Sequence, residues 1–329
     1  MKKVTVTEAF IHGAVSVEKT SDGLRPWRIP FDQHDLFNID EGLGNAGKAA
    51  GVRIRFKTTA RTFSLIATGG CQFDLVIDNH LVSTVCREDL EGSLDFALPE
   101  HIPHGENVLE IWLPQMSPVW LDTLVFKEGE TGAAAPDDRL KWVTYGSSIT
   151  HCGAAHSPAR TWPALAARLK NLHLTCLGYG GQCHLDGMVA RMIRDLDADI
   201  ITIKCGINIY GAATLSPRSF RPALISAVQT IRDRHPATPI GVVSPVISPP
   251  RETKLNAVGY NLKMMRGHVS DAVDLLKRAG DTNLYYFDGL DIFGENNVDF
   301  LPDDLHPNGD GYEILGRNFA RIVLNKLIG

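Results

Sequence analysis

KWVTYGSSIT, residues 141–150, opens as an apolar run, stops on glycine and continues as residues suited to starting a helix. A strand that passes through a Gly-Ser-Ser turn into a helix is the joint of a βαβ unit. Toward the carboxyl terminus the same alternation recurs. A helix is expected near 161–170, then the strand NLHLTCLG (171–178), a helix near 186–195 and the strand IITIKCG (200–206). A helix near 219–234, the strand PIGVVSP (239–245), a long helix over 256–279, the strand NLYYFDG (283–289) and a last helix over 309–327 complete the series. Apolar strands alternating with amphipathic helices predict a mostly parallel sheet covered on both faces.

Toward the amino terminus the character changes. RIRFKTTA, TFSLIAT, FDLVIDN, HLVSTVCR, NVLEIWLP and WLDTLVFKEG are short runs of rough period-two alternation, separated by Gly, Asn, Asp and Pro. That pattern predicts an all-β sandwich or barrel. EGETGAAAPDDR (128–139) is small, polar and Pro-containing, as in a linker or strap. The expected division is therefore a β accessory domain over 1–132 and an α/β domain over 133–329. A chain of 329 residues is long enough for both.

The balance of 33 basic against 38 acidic residues, net −5, argues against a polyanion partner, so no nucleic acid is expected. No apolar run is long enough to span a bilayer, so no membrane partner is expected either. MKKVTVTEAFIHG lacks a long apolar segment and a cleavage site, which argues against a secretory signal. Six scattered cysteines without short paired spacing fit reduced thiols. A cytoplasmic protein is the resulting expectation, and a homo-oligomer is compatible with this composition.

Open α/β sheets bind ligands beyond the carboxyl ends of their strands, which directs attention to four segments. In YGSSIT (145–150), Ser147 and Ser148 both sit where a turn can present a hydroxyl above the sheet. Helix capping would also explain two serines there. In DDLHP (303–307), Asp303 stands three residues before His306, so one turn can fold the carboxylate onto the imidazole. A serine needs such a base, and the base needs a partner that fixes its tautomer. GYGGQC (178–183) permits a tight turn with exposed amides, and Asn208 in CGINI offers a side-chain NH₂. Both suit an oxyanion site, although ordinary turns would use the same residues.

This order of blocks resembles the SGNH, or GDSL-type, hydrolase family. Gly146-Ser147-Ser148-Ile149 stands for the family's Gly-Asp-Ser-Ile/Leu, which makes Ser148 the nucleophile and puts Ser147 in the Asp position. Gly181 fits the oxyanion glycine, with Gly180 beside it. Gly206 and Asn208 match Gly-x-Asn-Asp, with Ile209 replacing the Asp, and Asp303, His306 and Pro307 match the final block in full. The resemblance covers roughly 140–329. It implies a flavodoxin-like three-layer α/β/α domain, here preceded by an all-β, jelly-roll-like sandwich as in some carbohydrate esterases. It implies a serine esterase acting on small acyl esters, acetyl above all and carbohydrate-borne among the options, with no cofactor and a small-molecule or glycoside ester as substrate. Acyl transfer to a small molecule is the alternative within enzymes. A non-catalytic carbohydrate-binding protein is the alternative outside them.

Two rival chemistries draw on the same region. His151, Cys152, His156, Cys183 and His184 would suit zinc if the first two parallel strands are neighbours, but no Cys-x₂-Cys pair is present. Cys152 or Cys183 as nucleophile lacks the turn placement of Ser148. Gly178-x-Gly180 lacks the third glycine of a dinucleotide fingerprint, since Cys stands at 183. WLPQMSPVWLDTLVF (112–126) carries rings able to stack on a sugar, yet Trp112, Trp120 and Phe126 serve equally as core or inter-domain packing.

Overall fold

The computed structural model describes residues 1–37 and 45–329. The amino-terminal part forms two antiparallel sheets, each of six strands among the described residues. Period-two alternation builds their shared core. Along the strand Thr62–Thr68, Phe63, Leu65 and Ala67 are buried while their neighbours are half-exposed. Phe56 and Phe63 meet edge to face at 5.3 Å and Phe96 stacks on Phe63, giving the sandwich an aromatic centre. The hairpin Ser16–Thr20/Gly23–Trp27 and the strand Ser93–Ala97 also belong to these sheets. In the hairpin, adjacent charges (Glu18, Lys19) and Pro26 leave no clear strand period, whereas Ser93–Ala97 does alternate, burying Leu94 and Phe96.

The segment read as a linker is partly woven into the sandwich: Gly132–Ala134 pairs antiparallel with Arg53–Thr58. Five parallel strands follow, Lys141–Gly146, His173–Gly178, Ile200–Lys204, Ile240–Val243 and Leu284–Phe287, in the spatial order second, first, third, fourth, fifth. That is the flavodoxin-type order, and the chain reverses direction across the sheet between the first and third strands. Helices cover both faces, with Trp162–Leu169 packed on Gly309–Phe319 and Pro217–Arg232 between Gly187–Asp195 and Leu262–Arg278. The helix expected from 256 begins only at Leu262, because the Asn256 side chain accepts the amides of Val258 and Tyr260 and so holds a turn. The last helix runs through a π-helical turn at Ala320–Leu324.

The second parallel strand is an edge strand, and the sandwich closes that edge. Arg53 donates to Leu174 O at 3.0 Å, and Arg28 donates to Cys176 O at 3.1 Å and Gly178 O at 2.6 Å. Three alternate carbonyls that would otherwise face an unpaired edge are thus satisfied by two fully buried guanidinium groups. Around Arg53, Glu110, Asp137 and Arg139 complete a buried ion network linking the sandwich, the connecting segment and, through His173, the parallel sheet. Trp112 joins the α/β core and Phe126 the sandwich core, both buried, while Trp120 is half-exposed under Arg25. The two buried rings are packing residues, unavailable to a sugar. No helix among the described residues is long and apolar enough to cross a membrane.

Candidate active site

Strand register assembles the site. Gly146 stands opposite Gly178 on one side and Lys204 on the other, so the loops after the first three strands leave the sheet at one level. From that level the chain enters the short helix Ser148–His151, capped by Ser147, whose Oγ accepts the Ile149 amide at 3.3 Å. Gly178 is required here for space. A Cβ on it would stand 2.4 Å from the His151 nitrogen, so no larger residue lets this turn rest on the second strand.

The Ser148 hydroxyl lies 2.8 Å from His306 Nε2, and His306 Nδ1 lies 2.7 Å from Asp303 Oδ2. An ionised carboxylate only accepts, so Nδ1 carries the ring proton, Nε2 is the free acceptor and Ser148 donates to it. Asp303 Oδ1 also accepts the backbone amides of Leu305 and His306. Partial burial works against the ionised carboxyl, but the His306 hydrogen bonds outweigh it and hold Asp303 below the usual carboxylate range. The loop is anchored from the fourth strand's side, where Ser248 Oγ donates to Asp304 O at 2.6 Å and Arg251 to the same carbonyl at 3.2 Å. Asn308 then caps the final helix by accepting the Gly311 amide.

Gly181 takes φ +77°, a conformation glycine adopts without strain, and a Cβ there would meet nothing within 4 Å. Asn208 sits in the first turn of the helix Ile207–Ala212, and its Oδ1 accepts the Cys183 amide at 3.1 Å, which turns its NH₂ the other way. Among the described residues, the amides of Ser148 and Gly181 and the NH₂ of Asn208 have no hydrogen-bond partner. Ile209, in the family's Asp position, is fully buried.

Ser148, Asp303 and His306 line a cleft of about 460 Å³ together with His151, Gly180, Tyr312 and, from the amino-terminal part, Asn45 and Met116. The sequence reading missed Asn45 and Met116. Asn45 falls in GNAGKAAG, which has no strand period and marks only a loop, and nothing local ties that loop to the Ser148 turn.

The zinc candidates do not converge. His151 bonds Gln115 O, His156 pairs with Asp310, and His184 contacts Thr214 and Gly181 O at the surface. Cys152 and Cys183 are buried, and burial raises both thiols, Cys183 to about 12, which leaves them protonated and poor nucleophiles. Among the described residues one group of three possible ligands does meet, His12, Asp137 and His173 at the inter-domain contact. There Asp137 Oδ2 is already held by Arg53 and Arg139.

A model of the GDSL-like lipase/acylhydrolase family matches residues 140–324, and a model of the SsfX3 N-terminal domain matches residues 9–122. Among solved structures, the salicylyl-acyltransferase SsfX3 from a tetracycline biosynthetic pathway is 30% identical, covering 99% of this chain and 97% of its own, with TM-score 0.91. A family two carbohydrate esterase from Cellvibrio japonicus is 15% identical over 99% and 98% of the two chains, with TM-score 0.68. An acetyl xylan esterase (Est2A) from Butyrivibrio proteoclasticus is 11% identical over 99% and 98%, with TM-score 0.62. The last two are likenesses of fold alone. No curated protein matches the chain.

Proposed function

The chain belongs to the GDSL-like lipase/acylhydrolase family, and from that premise we infer that it moves an acyl group through an ester on Ser148 to a hydroxyl of a small molecule. The hydrogen-bonded series Ser148–His306–Asp303, open to a cleft, carries this reading. His306 Nε2 takes the Ser148 proton as Oγ attacks the acyl carbonyl, and Asp303 stabilises the imidazolium through Nδ1–H. The amides of Ser148 and Gly181 and the Asn208 NH₂ are assigned to the oxyanion, each donor contributing on the order of 3 kcal/mol. The carbonyl–oxygen bond to the leaving group then breaks as His306 returns the proton to it. In the second half an acceptor hydroxyl gives its proton to His306 and attacks the acyl-enzyme; the acyl–Oγ bond breaks, His306 returns the proton to Ser148 Oγ, and the new ester leaves. The full-length similarity to an acyltransferase supports a hydroxyl acceptor over water.

A second reading, hydrolysis of small acyl esters such as acetylated sugars, draws on the exposure of the dyad. His306 and Asp303 side chains are 35% and 53% exposed, so water reaches the acyl-enzyme. Product analysis separates the two. The purified protein is given p-nitrophenyl acetate with increasing alcohol or sugar acceptor, and acetate and new ester are quantified beside Ser148→Ala. Ester formation at the expense of acetate supports transfer, and acetate alone at every acceptor concentration supports hydrolysis. Undiminished turnover by Ser148→Ala would overturn both.

A further inference from the structure

His151 has no part in the scheme above, yet it lines the same cleft as Ser148 and is only 3% exposed. Its Nε2 lies 2.6 Å from the backbone carbonyl of Gln115, in the loop that follows the strand Asn107–Trp112 of the sandwich. A carbonyl only accepts, so Nε2 carries the proton and Nδ1 is left as a bare acceptor. Nδ1 lies 3.7 Å from where a Cβ on Gly180 would stand, and it makes no hydrogen bond to any described residue. Beside it, Asn45 Nδ2 donates to Gly180 O at 2.7 Å and Lys48 Nζ to Asn45 Oδ1 at 3.0 Å, and neither bonds Nδ1.

The charge of the surroundings narrows what can fill that valence. Burial, then the nearby Arg28, brings His151 down to about 3, with Lys48 acting in the same direction, so the ring is neutral at working pH. The same two cations disfavour an ammonium donor and favour a neutral one such as a hydroxyl. The acceptor faces the cleft, and a ligand that covers it without donating forfeits that hydrogen bond.

We propose that His151 Nδ1 is a specificity-determining acceptor for a hydroxyl group on the ester processed in this cleft. The proposal rests on the acyl-transfer reading of Ser148 and adds a substrate class, hydroxylated esters. The hydroxyl belongs either to the alcohol portion or to the acyl portion, and two probe pairs distinguish these. Ethylene glycol monoacetate against ethyl acetate tests the alcohol side, and ethyl glycolate against ethyl acetate tests the acyl side, each normalised to its alkaline hydrolysis rate.

For the full chain, kcat/KM is expected to favour one hydroxylated ester about tenfold. In His151→Phe that ratio falls to near one, and His151→Gln, which keeps both a donor for Gln115 O and an acceptor, recovers part of it. No preference in the unsubstituted protein, or the same preference in His151→Phe, overturns the proposal. A binding measurement decides independently of turnover. In Ser148→Ala, the Nδ1 resonance of His151 followed by nitrogen NMR should move on adding a hydroxylated ester and stay put with ethyl acetate. A resonance unmoved by both hydroxylated esters overturns the proposal even if no ester is turned over, whereas the role of Ser148 itself stands or falls on its own alanine variant.

Discussion

Asp303 grips His306 at two points: its Oδ2 accepts the imidazole Nδ1–H at 2.7 Å, and its Oδ1 accepts the backbone amide of the same residue at 2.6 Å. One carboxylate therefore sets both the tautomer of the imidazole and the fold of the loop carrying it. Asp303→Asn keeps an oxygen for the loop but loses the charge opposite the imidazolium. We expect it to lower kcat by about 10²- to 10⁴-fold with little change in melting temperature. Asp303→Ala should lose the activity and part of the loop's order as well. Steady-state kinetics beside thermal melts test this, and an Asn variant with normal kcat would contradict it.

Asn208 is held by the Cys183 amide through Oδ1, leaving its NH₂ without a partner among the described residues. Asn208→Asp keeps the acceptor and removes the donor, so kcat should fall about 10²- to 10³-fold while KM changes little. Loss confined to KM would mean that Asn208 binds the ground state rather than the oxyanion.

Asp137 faces Arg53 and Arg139 in a site from which water is excluded, its side chain 1% exposed. Burial alone would raise its carboxyl, but the hydrogen bonds from Arg139 and His173 and the charge of Arg53 drive it well below the carboxylate range. Asp137→Asn removes the nearer of the two carboxylates facing buried Arg53, leaving Glu110 at 3.7 Å, and should destabilise the protein by about 3–5 kcal/mol. Urea denaturation measures this, and a change below 1 kcal/mol would show that Glu110 alone suffices.

One buried histidine, His151, and two half-buried ones, His12 and His173, give stability a pH dependence of known sign. Burial first, then neighbouring arginine charge, lowers His12 to about 4 and His151 to about 3; burial likewise lowers His173. In the unfolded chain each titrates near 6.5. As pH falls from about 6.5 toward 4, the unfolded chain takes up protons that the folded chain refuses, so stability drops by about 1.4 kcal/mol per pH unit for each such proton. Depressed carboxylates such as Asp303 and Asp137 contribute above about pH 4 and lose that contribution only below it, leaving the higher window to the histidines. Urea midpoints at pH 7.5, 5.5 and 4.5 should fall in that order, and more gently in His12→Gln. Equal midpoints at all three would contradict the assignment.

Much of the molecule is local and therefore legible. The parallel strands read as apolar runs because both faces of that sheet are covered, and Thr62–Thr68 reads as alternating because one face meets the aromatic core. The Asp303–His306 pairing spans three residues, so spacing alone suggests it. The contacts that close the cleft are of another kind. Asn45 reaches Gly180 across 135 residues, Gln115 meets His151 across 36, and Arg28 meets Gly178 across 150. No periodicity records such pairs, because each depends on how the sandwich rests on the edge of the parallel sheet.

By itself the sequence determined the two kinds of sheet, the loops that end at the reacting edge and the residue types able to transfer an acyl group. Those follow from side-chain period and from chemistry confined to single turns. Only the tertiary structure decided that His151 turns Nε2 to Gln115 O while lining the cleft, that Trp112 and Phe126 are packing, and that the amino-terminal part supplies a wall of the cleft. Protonation and exposure depend on what is packed around a group, and here the surroundings come from the other end of the chain.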